Sequence, residues 1–404
     1  MFQGEQVWIV DAVRTPIGRL RGGLATRRTD DLAGDVLRAL AARNVEAAAH
    51  LDHVVMGATN QAGEDNRNVA RMALLLADLP DTVPAVTVNR LCGSGLEAVT
   101  DAVMRIWTGD ARAVMAGGVE SMTRAPFVFA KPDEAFSSSA PTVYNTSLGW
   151  RFENPAMAAR FELQSMGRTA ENVAQRAGID REAQDAWALR SHQRALAAWD
   201  AGAFSAEVIP VPLPPARRGE PPGALHRDEG PRADTTLDAL ARLRPVFLEG
   251  GTVTAGNSSP LNDGASALLL VSATLGRNLG LEPMARVVSF ATAGVHPNVM
   301  GEGPIPAGQK ALARAGWQPA DLGAVELNEA FAAQVLAGIA GLGLSPEQVN
   351  PLGGAIALGH PIGCSGARVL TTLVHHMRAQ GLRRGMAALC IGVGQGIALT
   401  VERD

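Results

Sequence analysis

The chain has 404 residues, 47% of them hydrophobic and 19% charged, and a formal net charge of −4. This is globular composition, with length for about two or three domains and a sizeable core. The charge excludes a global basic field of the kind that draws nucleic acid, and no run of about 18 apolar residues offers a membrane span. The three cysteines, Cys92, Cys364 and Cys390, form no C-x-x-C pair. That pattern argues against a structural zinc site and against a secreted disulfide framework. The first residues, MFQGEQVWIVDAVRTP, lack the basic stretch and apolar run of a signal peptide. The expectation is a reducing, bacterium-like cytoplasm.

Val7 to Val10 reads as a buried strand. Asp30 to Arg43 reads as a helix with Leu32, Val36, Leu37 and Leu40 on one face, and Asp30 or Asp31 as its cap. His53 to Gly57 is a second strand, Asn68 to Ala77 a helix, and Val86 to Val88 a strand. Gly95 to Trp107 follows as a helix and Ala113 to Ala116 as a strand. This alternation is α/β. From about 121 to 250 the chain is rich in Pro, Arg and polar residues. The stretch Pro210–Gly223 cannot be regular helix or central strand. Met166 to Arg176 and Arg181 to Ala201 read as helices within this segment. It is expected to be an inserted subdomain with its own small core.

After about Gly251 the α/β pattern resumes, and it repeats the first part. Val88-Asn89-Arg90 matches Val349-Asn350-Pro351, and Cys92-Gly93-Ser94-Gly95 resembles Cys364-Ser365-Gly366. The order of elements agrees, so two related halves are expected, 1–283 and 284–404. The second half carries an extra loop, GGAIALGHPIG.

Four polar groups stand at expected strand ends. Cys92 lies between a strand and a helix, where the positive end of the helix dipole favours a thiolate. It reads equally as a nucleophile or as a buried structural cysteine. His360, in the glycine-dense loop, could take a proton from a thiol or be a turn histidine satisfied by backbone. Cys390 ends an apolar strand before Gly392, Gly394 and Gly396. Those glycines do not form a dinucleotide fingerprint, because a final strand follows instead of a helix. Cys390 is either a second acid/base or a packed strand-end thiol. Asn328 is either a ligand for a water or carbonyl, or a helix N-cap. Taken together, two thiols and a histidine at strand ends suit carbon–carbon chemistry on thioesters.

The segments NRLCGSGLEA, NEAF, NPLGGAIALGHPIGCSGAR and CIGVGQGIAL resemble the signature segments of thiolases. GTVTAGNSSPLNDGASAL is similar to that family's coenzyme A loop region, and the likeness runs from VDAVRTPIGR to the last strand. It implies two βαβαβαββ halves in a five-layered α-β-α-β-α core with a loop domain inserted in the first. It also implies roles. Cys92 matches the nucleophile, His360 the base that activates it, and Cys390 the second acid/base. Asn328 matches the residue holding a water in one oxyanion hole with His360. The N–H groups of Cys92 and Gly392 match the other hole. Ser259, Met166, Ala330 and Phe331 match positions along the pantetheine path. Coenzyme A is a substrate there, with no metal or redox cofactor, and members are homodimers or homotetramers.

Three positions depart from the family pattern. Ser165 stands where many members have histidine before the methionine, Asn257-Ser258-Ser259-Pro260 replaces N-A-S-G, and Val393 interrupts three glycines. The first departure puts simple acetoacetyl-CoA specificity in question. A narrower resemblance, through GATNQAGEDNRNVARMALLLADLP, ESMTRAPFVFAK and LGWRF, is to thiolases that split 3-oxoadipyl-CoA in aromatic catabolism. A distal carboxylate would need a cation, for which Arg67, Arg124 and Arg151 are candidates, each equally readable as a structural or surface arginine. The alternatives are an acetyl-CoA C-acetyltransferase or a broad-range 3-ketoacyl-CoA thiolase of fatty-acid oxidation. An acyl-carrier condensing enzyme would pair its cysteine with a second histidine or an asparagine. A lipid carrier without catalysis would not need all four polar groups.

Overall fold

The computed structural model describes residues 5–215, 219 and 221–403. In the first half the main strands are β1 (Val7–Arg14), β2 (His53–Gly57), β3 (Ala85–Val88), β4 (Ala113–Ser121) and β5 (Asn262–Ser272). In the second they are β6 (Ala285–Gly294), β7 (Ala324–Leu327), β8 (Arg384–Ile391) and β9 (Gln395–Glu402). Among the described residues ten strands form one ladder in the order β7-β8-β9-β6-β1-β5-β4-β2-β3, with Gly18–Arg19 against β5. Among the described residues the strands of the two halves join where Trp8 and Ile9 pair with Arg286 and Ala285. Each half has the same plan. β2 runs parallel to β4 and β3, and β7 runs parallel to β8 and to an isolated bridge at Val349. That bridge stands where β3 stands in the first half, so the expected match of Val88-Asn89-Arg90 with Val349-Asn350-Pro351 is a spatial one.

Helices fill the layers. α1 (Thr29–Arg43) and α2 (Val69–Leu76) cover the outside of the first half, α3 (Ser94–Thr108) and α8 (Ile362–Gln380) lie between the halves, and α6 (Pro304–Ala315) and α7 (Ala332–Leu342) cover the second. The period-2 alternation of strand side chains decides which layer each residue serves. In β4, Val114 and Ala116 face the central helices while Ala113 and Met115 face α1. In β8, Ala387, Leu389 and Ile391 face inward, and Met386 and Ala388 face the outer helices. Strands buried on both faces need apolar runs, which residues 113–119 of β4, 267–271 of β5 and 386–391 of β8 supply. The order helix, sheet, helix, sheet, helix is the five-layered core.

The central helices cross on glycine. A Cβ on Gly366 would sit 2.2 Å from the Leu96 nitrogen, and one on Gly95 would sit 2.6 Å from the Ala367 nitrogen. Gly95 therefore serves this backbone contact and not only the turn before it. Both obstacles are main chain and cannot swing aside. Gly366→Ala is expected to cost about 3 kcal/mol or more, read as a fall in the urea midpoint at unchanged slope.

Two expectations need correction. α1 begins at Thr29, so Asp30 and Asp31 lie in its first turn and do not cap it, and the cap residue Arg28 makes no side-chain cap bond. There they complement the positive end of the helix dipole instead. The inserted segment, with α4 (Met166–Ala177) and α5 (Arg181–Asp200), has no separate core among the described residues. Its apolar residues are too few, so Trp187 and Ala188 join the outer cluster of the second half, and Ala195, Ala198 and Phe204 pack on Ala357 and Leu358. Within Pro210–Gly223, Val211–Leu213 forms a two-stranded hairpin with Gly223–Leu225, away from the main sheet. Residues 216–218 and 220 lie outside the described residues. Among the described residues no helix is long and apolar enough to cross a membrane.

Candidate active site

Cys92 sits in a tight turn between β3 and α3. Leu91 before it has φ 46°, a left-handed value unusual for leucine. The turn is held by Ser94, whose Oγ donates to the Leu91 carbonyl at 2.6 Å and accepts from the Arg90 N–H at 2.9 Å. Such local strain persists only where neighbours overdetermine it. Arg90 adds a two-point pair to Glu97 and reaches Gln395 Oε1 at 3.1 Å, so the turn is fastened to the hairpin after β8 in the other half.

That hairpin carries Cys390 and Gly392. Cys390 and Gly396 pair across β8 and β9, and Gly392-Val393-Gly394 makes the turn. Val393 at φ 63° and Gly394 at φ 77° are both left-handed, a strained state for a β-branched side chain. Cys390 follows the outward parity of Met386 and Ala388 and is 1% exposed, whereas Cys92 is partly exposed. Burial raises the Cys92 thiol pKa above its ordinary value. Hydrogen bonds from the Gly392 N–H and its own N–H pull it down, and the Glu120 charge pushes it up. The expected dipole benefit is thus outweighed by desolvation, and the resting group is a thiol. Burial raises the Cys390 pKa further, with the neighbouring Cys92 as the second cause. The two thiols therefore share one site across the halves, and the Gly392 N–H points at Cys92.

Asn328 and His360 form the third part. Asn328 is 1% exposed; its N–H donates to Ala388 O at 3.0 Å beside the strand of Cys390. It is no helix cap: α7 starts at Ala332 behind Phe331, without a side-chain cap bond. Its Nδ2 faces His360 Nε2 at 3.5 Å, and its buried Oδ1 has no protein partner among the described residues. His360 Nδ1 lies 2.6 Å from Ser365 Oγ, which donates to the Pro361 carbonyl at 2.9 Å. A hydroxyl with its one hydrogen on a carbonyl must accept from the ring, so the proton is on Nδ1 and Nε2 is bare. Burial, with Arg368 adding, pushes the His360 pKa down to about 4. The ring is therefore neutral at pH 7, and its contribution to stability is lost as pH falls from about 6.5 toward 4, where the unfolded chain binds the proton first. Ser365→Ala removes the acceptor that orients the ring. The expected result is a kcat about tenfold lower with the nucleophile intact, measured by steady-state turnover and thiol titration.

The expected pantetheine positions converge on the same place. Met166, Ala330, Phe331 and Cys390 belong to one apolar cluster with Met300. Ser259 joins through its N–H to Ala330 O at 2.9 Å. Ser165 caps α4, its side chain accepting from the Arg168 N–H at 3.4 Å. Arg67 is exposed on the 58–68 loop at φ 62°, and its guanidinium pairs with no acid among the described residues. Arg151 is likewise unpaired, beside Trp150, which donates to Gln164 O at 3.0 Å. Arg124 is spent on Glu64, Nε to Oε2 at 2.6 Å. Ser365, Glu120, Glu329 and Arg90 escaped the sequence reading; Ser365 alone left a signal, one helical turn past His360.

The family model "Thiolase, N-terminal domain" matches residues 7–274, and "Thiolase, C-terminal domain" matches 281–403. A curated relative from Pseudomonas knackmussii, "Beta-ketoadipyl-CoA thiolase", is 52% identical over 98% of this chain and 99% of its own. An Escherichia coli relative, "3-oxoadipyl-CoA/3-oxo-5,6-dehydrosuberyl-CoA thiolase", is 50% identical over 98% of this chain and 99% of its own. Among solved structures, the Bacillus anthracis acetyl-CoA acetyltransferase superposes with TM-score 0.93 at 40% identity, covering 100% of both chains. Human mitochondrial 3-ketoacyl-CoA thiolase gives TM-score 0.90 at 37% identity, covering 98% of both. Fold, site geometry and these matches agree, and the chain belongs to the thiolase family.

Proposed function

We propose that this protein cleaves 3-oxoadipyl-CoA with coenzyme A into succinyl-CoA and acetyl-CoA, through an acyl group carried on Cys92. The observation that carries the reading is the meeting of a partly exposed thiol and a buried thiol beside the Gly392 N–H, with a neutral histidine on the adjoining loop. His360 Nε2 takes the Cys92 proton, and Sγ attacks the 3-oxo carbon. The Cys92 and Gly392 N–H groups receive the oxyanion. The bond between C2 and C3 breaks, and the departing acetyl-CoA enolate takes the Cys390 proton. The enolate oxygen rests against His360 and a water held by Asn328. Coenzyme A then gives its thiol proton to Cys390 and attacks the acyl carbon. Cys92 leaves and recovers its proton from His360. All groups return to their starting state, coenzyme A is a substrate, and no further cofactor takes part.

Ser259, Met166, Ala330 and Phe331 line the pantetheine arm in this reading. The substrate's far carboxylate is assigned to an unpaired arginine, Arg67 or Arg151. The names of the relatives from Pseudomonas knackmussii and Escherichia coli support that acyl chain. The test compares kcat/KM for 3-oxoadipyl-CoA with that for 3-oxohexanoyl-CoA. A preference of at least about tenfold is expected, equivalent to one charge-assisted hydrogen bond of about 1.4 kcal/mol. It should vanish in Arg67→Ala or in Arg151→Ala. Equal values in the unaltered enzyme would refute the acyl-chain assignment.

The enzyme is further proposed to act in the cytoplasm as a homodimer or homotetramer, with the halves dividing at 283/284. The half-exposed edge strand β3 and the exposed Phe127, Phe129, Phe136 and Phe152 support self-association.

A further inference from the structure

Two buried carboxylates without a step in this scheme stand at either end of the histidine loop. Glu120, at the end of β4, accepts from Thr59 N–H at 3.0 Å, Thr59 Oγ1 at 2.8 Å, Asn60 N–H at 3.3 Å and Gly363 N–H at 2.8 Å. Glu329, next to Asn328, accepts from Trp187 Nε1 at 2.9 Å, Ser191 Oγ at 2.6 Å, Asn350 Nδ2 at 2.9 Å and Ile356 N–H at 3.1 Å. Ile356 lies four residues before His360 and Gly363 three residues after it. The two acids come from different halves of the fold. We propose that Glu120 and Glu329 are positioning residues that clamp the His360 loop from both sides and so fix the base against the Cys92 turn.

Glycine at this loop fits the two acids. A Cβ on Gly354 would lie 2.1 Å from Glu329 Cδ, and one on Gly363 would lie 2.7 Å from Glu120 Oε2. The loop also turns left-handed at Gly353, φ 84°, and Gly359, φ 114°. A segment this free of side chains has high conformational entropy and needs external anchors. The main chain at the histidine is also tied, through its own N–H to Asn262 Oδ1 at 2.9 Å. Each carboxylate receives four hydrogen bonds and donates none, the pattern of an ionised group. Burial pushes the Glu120 pKa up to about 7, opposed by its bonds from Thr59 and Gly363. An amide in place of either carboxylate would turn an N–H₂ toward a donor and release one anchor.

The inference rests on the thiolysis reading, and the experiment separates the two. Glu120→Gln and Glu329→Gln are assayed for kcat, KM and acylation of Cys92 in one turnover, beside their melting temperatures. Each is expected to lose about 10- to 100-fold in kcat and in the acylation rate, with KM changed by less than about threefold. Leu40→Ala, a core truncation in the outer layer, lowers the melting temperature without touching the loop and should keep its kcat. Thr59→Val and Ser191→Ala each remove one donor and leave the charge, and are expected to lose about threefold. They decide the matter if the glutamine variants do not fold. The inference is overturned if the glutamine variants, or failing them the two milder ones, keep wild-type kcat. It is equally overturned if Leu40→Ala loses kcat in proportion to its melting temperature as they do. Absence of acylation in the unaltered enzyme would instead sink the thiolysis reading.

Discussion

Cys92→Ala is expected to lower the rate of 3-oxoacyl-CoA cleavage by at least about 10⁴-fold, because the covalent route disappears entirely. Nothing nearby can replace the thiol. Cys390 is buried at 1% exposure and its pKa is raised by desolvation, so it offers little thiolate and no open path to a carbonyl. Cys364 is fully buried, and burial pushes its pKa up to about 12. The turn should survive the substitution, since Ser94 and Arg90 hold it and neither bonds through Sγ. Coenzyme A binding should therefore stay within about threefold of normal, because the positions proposed to line the pantetheine arm are untouched. Steady-state cleavage and calorimetric coenzyme A binding check the two halves of this expectation. A variant that cleaves normally would remove Cys92 from the mechanism.

Cys390→Ala is expected to separate the two half-reactions. Making the acyl-enzyme from a simple thioester expels coenzyme A as a thiolate, a good leaving group that Cys390 protonates but that can depart without it. Cys92, His360 and the N–H groups of Cys92 and Gly392 therefore suffice at a reduced rate. Breaking the carbon–carbon bond also needs a proton for the enolate, and Cys390 is the protonated group beside Cys92. Loss of a general acid costs about 10²- to 10⁴-fold. The variant should thus exchange labelled coenzyme A into acetyl-CoA at a measurable rate while cleavage of the 3-oxoacyl substrate falls by about 10³-fold. Alanine fits the apolar cluster of Met166, Ala330 and Phe331, so the fold should hold. Parallel loss of both activities would show that Cys390 shapes the pocket and does not deliver the proton.

The elements most legible in the sequence were those whose burial leaves a period. α3 and β8 read correctly because one faces two sheets and the other is covered on both sides. The insertion misled because a helix such as α5 looks self-sufficient in isolation. Its Trp187 and Ala195 complete clusters that begin about 150 residues away in the chain. Cys92 and Asn328 each carried two readings, and the contacts that bear on them are tertiary: the Gly392 N–H at one, the His360 ring at the other. Glu120 and Glu329 gave no signal, since an isolated glutamate reads as a solvated charge until its four donors are known. Arg124 shows the reverse, a plausible ligand-binding cation already neutralised by Glu64. In the glycine-dense loop between 353 and 363, two glycines make room for carboxylates of the protein itself.

The central claim is that Cys92 carries the acyl chain left after cleavage. It is tested most directly by mixing the enzyme with 3-oxoadipyl-CoA without free coenzyme A, quenching with acid, and mapping the adduct by mass spectrometry. The account predicts a succinyl group on the peptide containing Cys92, matched by one equivalent of released acetyl-CoA and lost on adding coenzyme A. Acetyl-CoA release with no adduct on Cys92, or a succinyl group on Cys390 or Cys364 instead, would contradict it.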